Sequence, residues 1–208
     1  EPFRFASGGT IPGVDIAYET WGELNTEKSN AVLILTGLSP DAHAASSELD
    51  PRKGWWEPMI GPGRPFDTDR QFVICINSLG SCKGSTGPGS INPKTGKPYR
   101  LSFPDLRIQD IAFASRMVLQ SLEIERLRAL IGPSMGGMSC FALMKQAPDI
   151  ARHFLAISTA ARAEPYAIAI RSLQREMIVR DPNWKDGAYT AKHWPETGMR
   201  LARKLGMI

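Results

Sequence analysis

Cysteine is scarce in this sequence, and the scarcity narrows its reading. Cys75, Cys82 and Cys140 are the three thiols among 208 residues. They form no paired framework and lack the spacing of a zinc site, so reduced structural thiols and no metal are expected. No apolar run approaches the roughly 20 residues that a membrane helix requires, which argues against a membrane partner. The opening Glu1-Pro2-Phe3-Arg4 does not begin a signal peptide, and the chain reads as cytoplasmic. A net charge of +4 without any polybasic block reads as spread along the chain; it points weakly to anionic small molecules and away from nucleic acid. The phosphate-loop pattern G-x-x-x-x-G-K-[ST] is also missing. Gly80 to Gly87 (GSCKGSTG) supplies glycines, but Gly96-Lys97 is followed by Pro98.

What is present is an ordinary globular composition, 42% hydrophobic and 22% charged, long enough for one sizeable core. Short apolar runs alternate with segments of helical period. Val14 to Trp21, Ala31 to Leu35, Phe72 to Ile76, Leu127 to Ile131 and Phe154 to Ile157 read as strands. The last four carry almost no polar alternation and so should be buried on both faces. Ile108 to Leu122 sets Ile108, Ile111, Ala112, Ser115 and Leu119 on one side at helical spacing; Met135 to Gln146 and Ala167 to Val179 read as further helices. Strands alternating with helices predict an α/β fold with a mainly parallel sheet covered on both faces. In such a sheet ligands bind beyond the carboxyl ends of the strands.

One motif sits at such an end. Positions 130 to 139 read LIGPSMGGMS, placing Ser134 between Gly132 and Gly136. The pattern G-x-S-x-G fits a sharp strand-to-helix turn that lifts a serine Oγ clear of the sheet as a nucleophile. It also fits a glycine-rich turn whose serine caps the next helix. The order of strand, motif and apolar helix favours the nucleophile. A serine hydroxyl needs a base to take its proton and N–H donors to meet the oxyanion formed on the attacked carbonyl. The N–H of Met135, at the helix start, is one expected donor. The turn Thr36-Gly37-Leu38, directly after an early central strand, supplies the other from Leu38.

The chain resembles the homoserine O-acetyltransferase family of the α/β-hydrolase fold, and most closely its serine O-succinyltransferase branch. The resemblance is carried by AYETWGELN (17 to 25), LTGLSPDAHAAS (35 to 46), the stretch from Gly54 to Tyr99, the serine elbow, and SLQREMI, DPNW and GMRLARKLG between 172 and 206. It implies an α/β-hydrolase core over residues 1–160 and the beginning of a helical lid over 161–208, with the rest of the core beyond Ile208. Arg203 aligns with an arginine that holds the acceptor amino acid's carboxylate, a bidentate match that lysine does not reproduce. Read alone, it is a solvated helix arginine beside Arg200 and Lys204. The resemblance also implies acyl-coenzyme A as co-substrate with no permanently bound cofactor, and a homodimer joined through lid helices.

Histidine is where the pattern departs. The hydrolase order is serine, then Asp or Glu, then His, and only His153 and His193 follow Ser134. His153 opens the run HFLAI and reads as a strand-edge residue. His193 falls in the lid, and His43, beside the oxyanion turn, suits local hydrogen bonding. The triad Asp and His are therefore expected beyond Ile208, and a molecule lacking them should be close to inert. Trp55 and Trp56 read as packing residues, and the loop from Gly80 to Gly87 either shapes the pocket or lies on the surface. The resulting expectation is ping-pong acyl transfer through Ser134 to the hydroxyl of serine or homoserine. Its rivals are a serine esterase with the same elbow and a non-catalytic fragment.

Overall fold

The structure is a computed structural model and describes residues 1–207. Its central sheet has five strands: β1 Tyr18–Trp21, β2 Ala31–Leu35, β3 Phe72–Ile76, β4 Leu127–Pro133 and β5 Ala151–Ile157. In space they run β5-β4-β2-β3-β1. The pairs β2 with β3, β2 with β4 and β4 with β5 are parallel, and only β1 lies antiparallel, on β3.

The apolar runs follow from this placement. In β2 and β3, Leu33, Leu35, Ile74 and Ile76 face one layer, packed by Ala112, Val118 and Leu119 of helix α1 (Ile108–Ser121) and by Cys140 and Leu143 of helix α2 (Met135–Gln146). Their alternate residues Val32, Ile34, Val73 and Cys75 face Ala44, Ala45, Ile60 and Phe66 on the other side. With both faces covered, no position in the strand interior favours a polar side chain. Trp55 and Trp56 stack at 5.2 Å between ring centres and pack against this second cluster, the structural role expected of them.

Three strand expectations change. In Leu127–Ile131, expected to be buried on both faces, Arg128 is exposed and Ala129 half-buried. Residues 14–17 do not join β1, because their backbone groups are taken by the glycine-rich loop: Asp15 N–H donates to Thr86 Oγ1 at 2.8 Å and Ala17 N–H to Ser85 Oγ at 3.1 Å. That loop is consequently not a free surface loop; Ser85, Thr86 and Gly87 are buried. The run Phe154–Ile157, expected to be buried on both faces, is instead half open, and Leu155 is 48% exposed. It belongs to β5, the edge of the sheet, where only β4 pairs with it among the described residues.

Beyond β5, helices α3 (Pro165–Val179) and α4 (Glu196–Leu205) pack mainly on each other. Pro165 supplies a first-turn residue that needs no N–H partner, starting α3 two positions earlier than its apolar pattern predicts. Gly198 lies against the Met177 carbonyl, where a Cβ would not fit, so the helices meet closely. Asp181 locks the turn between them, accepting N–H bonds from Gly198 at 2.8 Å and Asn183 at 2.9 Å. Those bonds hold its carboxyl below the ordinary range. No described helix is long and apolar enough to cross a membrane.

Candidate active site

Ser134 links β4 to α2 with φ 54° and ψ −121°, a conformation that L-residues rarely adopt and that costs about 1 to 3 kcal/mol. Its surroundings impose that geometry. The Ser134 N–H donates to the Ile157 carbonyl at 2.9 Å, and the Ser134 carbonyl accepts from Gly137 N–H at 3.0 Å and from Thr159 Oγ1 at 2.7 Å. The glycines of the motif are required by close approach. A Cβ on Gly132 would enter the backbone of Gly136 and Gly137, and one on Gly136 would run into the Leu35 carbonyl at the end of β2. Ser134 itself is exposed, and its side chain does not cap α2. Among the described residues no hydrogen bond engages its Oγ, which leaves the hydroxyl free for an incoming group.

Two N–H groups near Ser134 are the candidates to meet an oxyanion. Met135 is the first residue of α2, where N–H groups have no intrahelical acceptor and the helix end carries partial positive charge. The turn after β2 abuts the elbow: a Cβ on Gly37 would lie 3.9 Å from Ser134 Cβ and 3.7 Å from the Pro133 carbonyl. Neither the Leu38 nor the Met135 N–H donates to a protein acceptor among the described residues.

The loop that carries Leu38 is pinned along its length. Thr36 is buried and donates to the Ile76 carbonyl at 3.3 Å. Trp55 Nε1 donates to the Asp41 carbonyl at 2.9 Å, and Lys83 Nζ stands 3.3 Å from Asp41 Oδ2. His43 has the local role expected for it. Its Nδ1 is 2.9 Å from Glu19 Oε2 and its Nε2 is 2.8 Å from the Arg52 carbonyl. Both partners only accept, so both ring nitrogens donate and the imidazolium is the fitting form. Burial pulls its pKa down, but the Glu19 hydrogen bond, the Arg52 carbonyl and the charges of Glu19 and Asp50 outweigh it and raise the pKa above 6.5. Further along, Glu57 accepts N–H bonds from Gly54 at 3.0 Å and Ser46 at 2.8 Å, and these push its carboxyl down to about 2.

Arg203 reaches this loop from α4. Its Nη1 donates to Ser39 Oγ at 2.9 Å, one residue past Leu38. Sequence reasoning singled out Arg203 but missed both Ser39 and Thr159: Ser39 lies within LTGLSPDAHAAS without standing out there, Thr159 lies in no such stretch, and both meet their partners only through the fold. His153 is exposed on β5, and His193 lies exposed in the turn between α3 and α4. Neither hydrogen-bonds to Ser134. The buried Cys75 and Cys140 thiols are raised by burial, Cys140 to about 12, which leaves them unreactive. A recess of about 510 Å³ lined by Arg116, Leu119, Ile124 and Ile150 lies at the amino ends of β4 and β5, the opposite end of the sheet from Ser134. Charge is also less evenly distributed than its linear spread suggests. Positions 161–208 hold nine Lys and Arg against five Asp and Glu, which accounts for the whole net charge of +4.

The pattern of the alpha/beta hydrolase fold matches residues 30–208. The chain is 58% identical to the serine O-succinyltransferase of Xanthomonas euvesicatoria pv. vesicatoria (strain 85-10), an alignment that covers 100% of this chain and 52% of that protein. It is equally 58% identical to the serine O-succinyltransferase of Stenotrophomonas maltophilia (strain K279a), covering 100% of this chain and 56% of the relative. The chain thus spans about half the length of the curated relatives it matches. Among solved structures it is similar to homoserine O-acetyltransferase from Bacillus anthracis, with TM-score 0.91 and 35% identity over 99% of this chain and 57% of that one. Esterase E22 superimposes with TM-score 0.89 and 36% identity over 98% of this chain and 58% of that one. A mostly parallel sheet with a serine on a strained elbow at its carboxyl edge, and a sequence match over residues 30–208, place the chain in the alpha/beta hydrolase fold family.

Proposed function

We propose that the full-length protein is an O-acyltransferase that moves an acyl group, succinyl by preference, from acyl-coenzyme A to the hydroxyl of L-serine or L-homoserine. The observation that carries this reading is Ser134, held at φ 54° beside Met135 and the turn that carries Leu38; among the described residues its Oγ makes no hydrogen bond and neither of those N–H groups has a protein acceptor. Ser134 Oγ attacks the thioester carbonyl, the Leu38 and Met135 N–H groups stabilise the tetrahedral oxyanion, and the coenzyme A thiol leaves with a proton. The acceptor hydroxyl then attacks the acyl-serine carbonyl and Ser134 regains its proton. The base and its carboxylate partner come, on this reading, from the portion of the relatives' length that this chain does not span. The likeness to serine O-succinyltransferases and to homoserine O-acetyltransferase supports acyl transfer and the amino-acid acceptor.

For the acceptor to outrun water it must be oriented and the site kept dry. Arg203, at the loop carrying Leu38, suits an amino acid carboxylate. The positive balance of the lid segment suits an anionic donor such as coenzyme A. A succinyl group adds a second carboxylate that needs a cation or N–H donors. Of the arginines that follow Ser134 in sequence, Arg162 pairs with Glu164 and Arg171 with Gln174. The exposed apolar residues Tyr166, Ile168, Leu173 and Leu201 on α3 and α4 fit a homodimer formed through the lid. We place the enzyme in the cytoplasm, in cysteine or methionine synthesis.

A serine esterase is the second reading, favoured by the likeness to esterase E22. The two differ only in what attacks the acyl-enzyme. Incubating the full-length protein with acyl-coenzyme A, with and without serine or homoserine, separates them. An O-acylated amino acid supports transfer; free acid at an unchanged rate whether or not the amino acid is present supports hydrolysis.

A further inference from the structure

The strained elbow has an anchor outside its own motif. The strand β5 ends at Ile157, and Ser158 follows at φ 47°, turning the chain so that the Thr159 hydroxyl faces the elbow. Thr159 Oγ1 lies 2.7 Å from the Ser134 carbonyl. A carbonyl oxygen only accepts, so the hydroxyl donates. The fit is mutual: a Cβ on Gly137 would strike the Thr159 side chain, so the second glycine of the Gly136-Gly137 pair leaves the space that Thr159 fills.

The carbonyl that Thr159 holds belongs to the same peptide unit as the Met135 N–H. A peptide bond is planar and trans, so fixing the oxygen fixes the direction of the N–H at its other end. A hydrogen bond accepted by the carbonyl also polarises the unit and strengthens the N–H as a donor. Ile157 holds the preceding side of the elbow through the Ser134 N–H at 2.9 Å. The end of β5 therefore grips both peptide units of the serine. We infer that Thr159 is a positioning residue for oxyanion stabilisation, acting through the Ser134–Met135 peptide and touching no reacting atom. The inference rests on Ser134 being the nucleophile.

The test uses the full-length protein and p-nitrophenyl acetate, whose attack by a serine releases p-nitrophenolate and leaves an acetyl-enzyme. Burst rate, intact mass and thermal melting are measured for wild type, Thr159→Val, Thr159→Ser and Ser134→Ala. Val keeps the shape without the donor; Ser keeps the donor. The expected result is an acylation rate reduced on the order of tenfold in Thr159→Val, with KM little changed and the rate largely restored in Thr159→Ser. Affinity for butylboronic acid, which forms a tetrahedral adduct on serine, should fall in parallel. If Val melts before assay, Thr159→Ala is compared with Thr159→Ser in its place. Acylation of the hydroxyl-free variant at the wild-type rate, or a loss that the Ser variant does not restore, overturns the inference. Wild-type protein that gains no acetyl group at Ser134 overturns the nucleophile assignment itself, a result read from the mass alone.

Discussion

Arg203 and Ser39 are joined by a 2.9 Å hydrogen bond across 164 positions of sequence, tying the last described helix to the loop that follows β2. The bond puts a guanidinium one residue from Leu38, the expected oxyanion donor. Replacing Arg203 by Ala should raise KM for the amino acid acceptor on the order of a hundredfold and leave acylation by the donor nearly unchanged. Lysine should recover only part of this, because it offers no planar fork. Separate assays of the half-reactions check the split; an equal loss in both would mean that Arg203 does not serve the acceptor.

Ser134→Ala should abolish transfer while keeping the melting behaviour of the parent to within about 0.5 kcal/mol, since it removes only an exposed oxygen. No acyl group should be trapped on the peptide that contains position 134. Turnover at the wild-type rate by this variant would refute the assignment.

His43 gives the loop after β2 a pH-dependent brace. Its folded pKa is raised, so its contribution is fully present below about pH 6.5 and is lost as pH rises through the folded value. His43→Gln should therefore lower the Tm most in mildly acidic buffer, with the gap to wild type narrowing as pH rises through the raised folded value. Melting curves of both proteins from about pH 5.5 upward give the comparison. A gap that widens with pH would contradict the raised pKa.

At Gly136 the backbone approach leaves no room. Gly136→Ala should cost about 3 kcal/mol or more, because the obstructing atom is the Leu35 carbonyl inside the sheet and not a movable side chain. Denaturant unfolding measures the loss; a change under about 0.5 kcal/mol would show that the elbow can open.

Donor and acceptor choice is testable in one matrix. Succinyl-coenzyme A with L-serine should give the highest kcat/KM, and homoserine should still be used. One methylene changes discrimination by only about 1 to 3 kcal/mol. Higher kcat/KM with acetyl-coenzyme A would remove the succinyl preference without touching the Ser134 mechanism.

Local pattern alone determined much of this protein. The runs AVLIL and FVICI are strands with the expected bounds because both faces are covered and nothing polar is tolerated there. Met135–Gln146 starts where the elbow demands, because glycine and serine at that spacing meet a strand end and a helix start. The sheet's edge was not legible in the same way. Phe154–Ile157 is as apolar as the central strands, and only its place outside β4 leaves it half exposed. Residues 14–17 likewise read as strand until Ser85 and Thr86, about seventy positions away, take their N–H groups. Thr159 lies in no motif, and nothing within LTGLSPDAHAAS sets Ser39 apart. A hydroxyl that binds a distant carbonyl or guanidinium leaves no periodicity behind, so tertiary structure alone decided that Thr159 meets Ser134 and Ser39 meets Arg203.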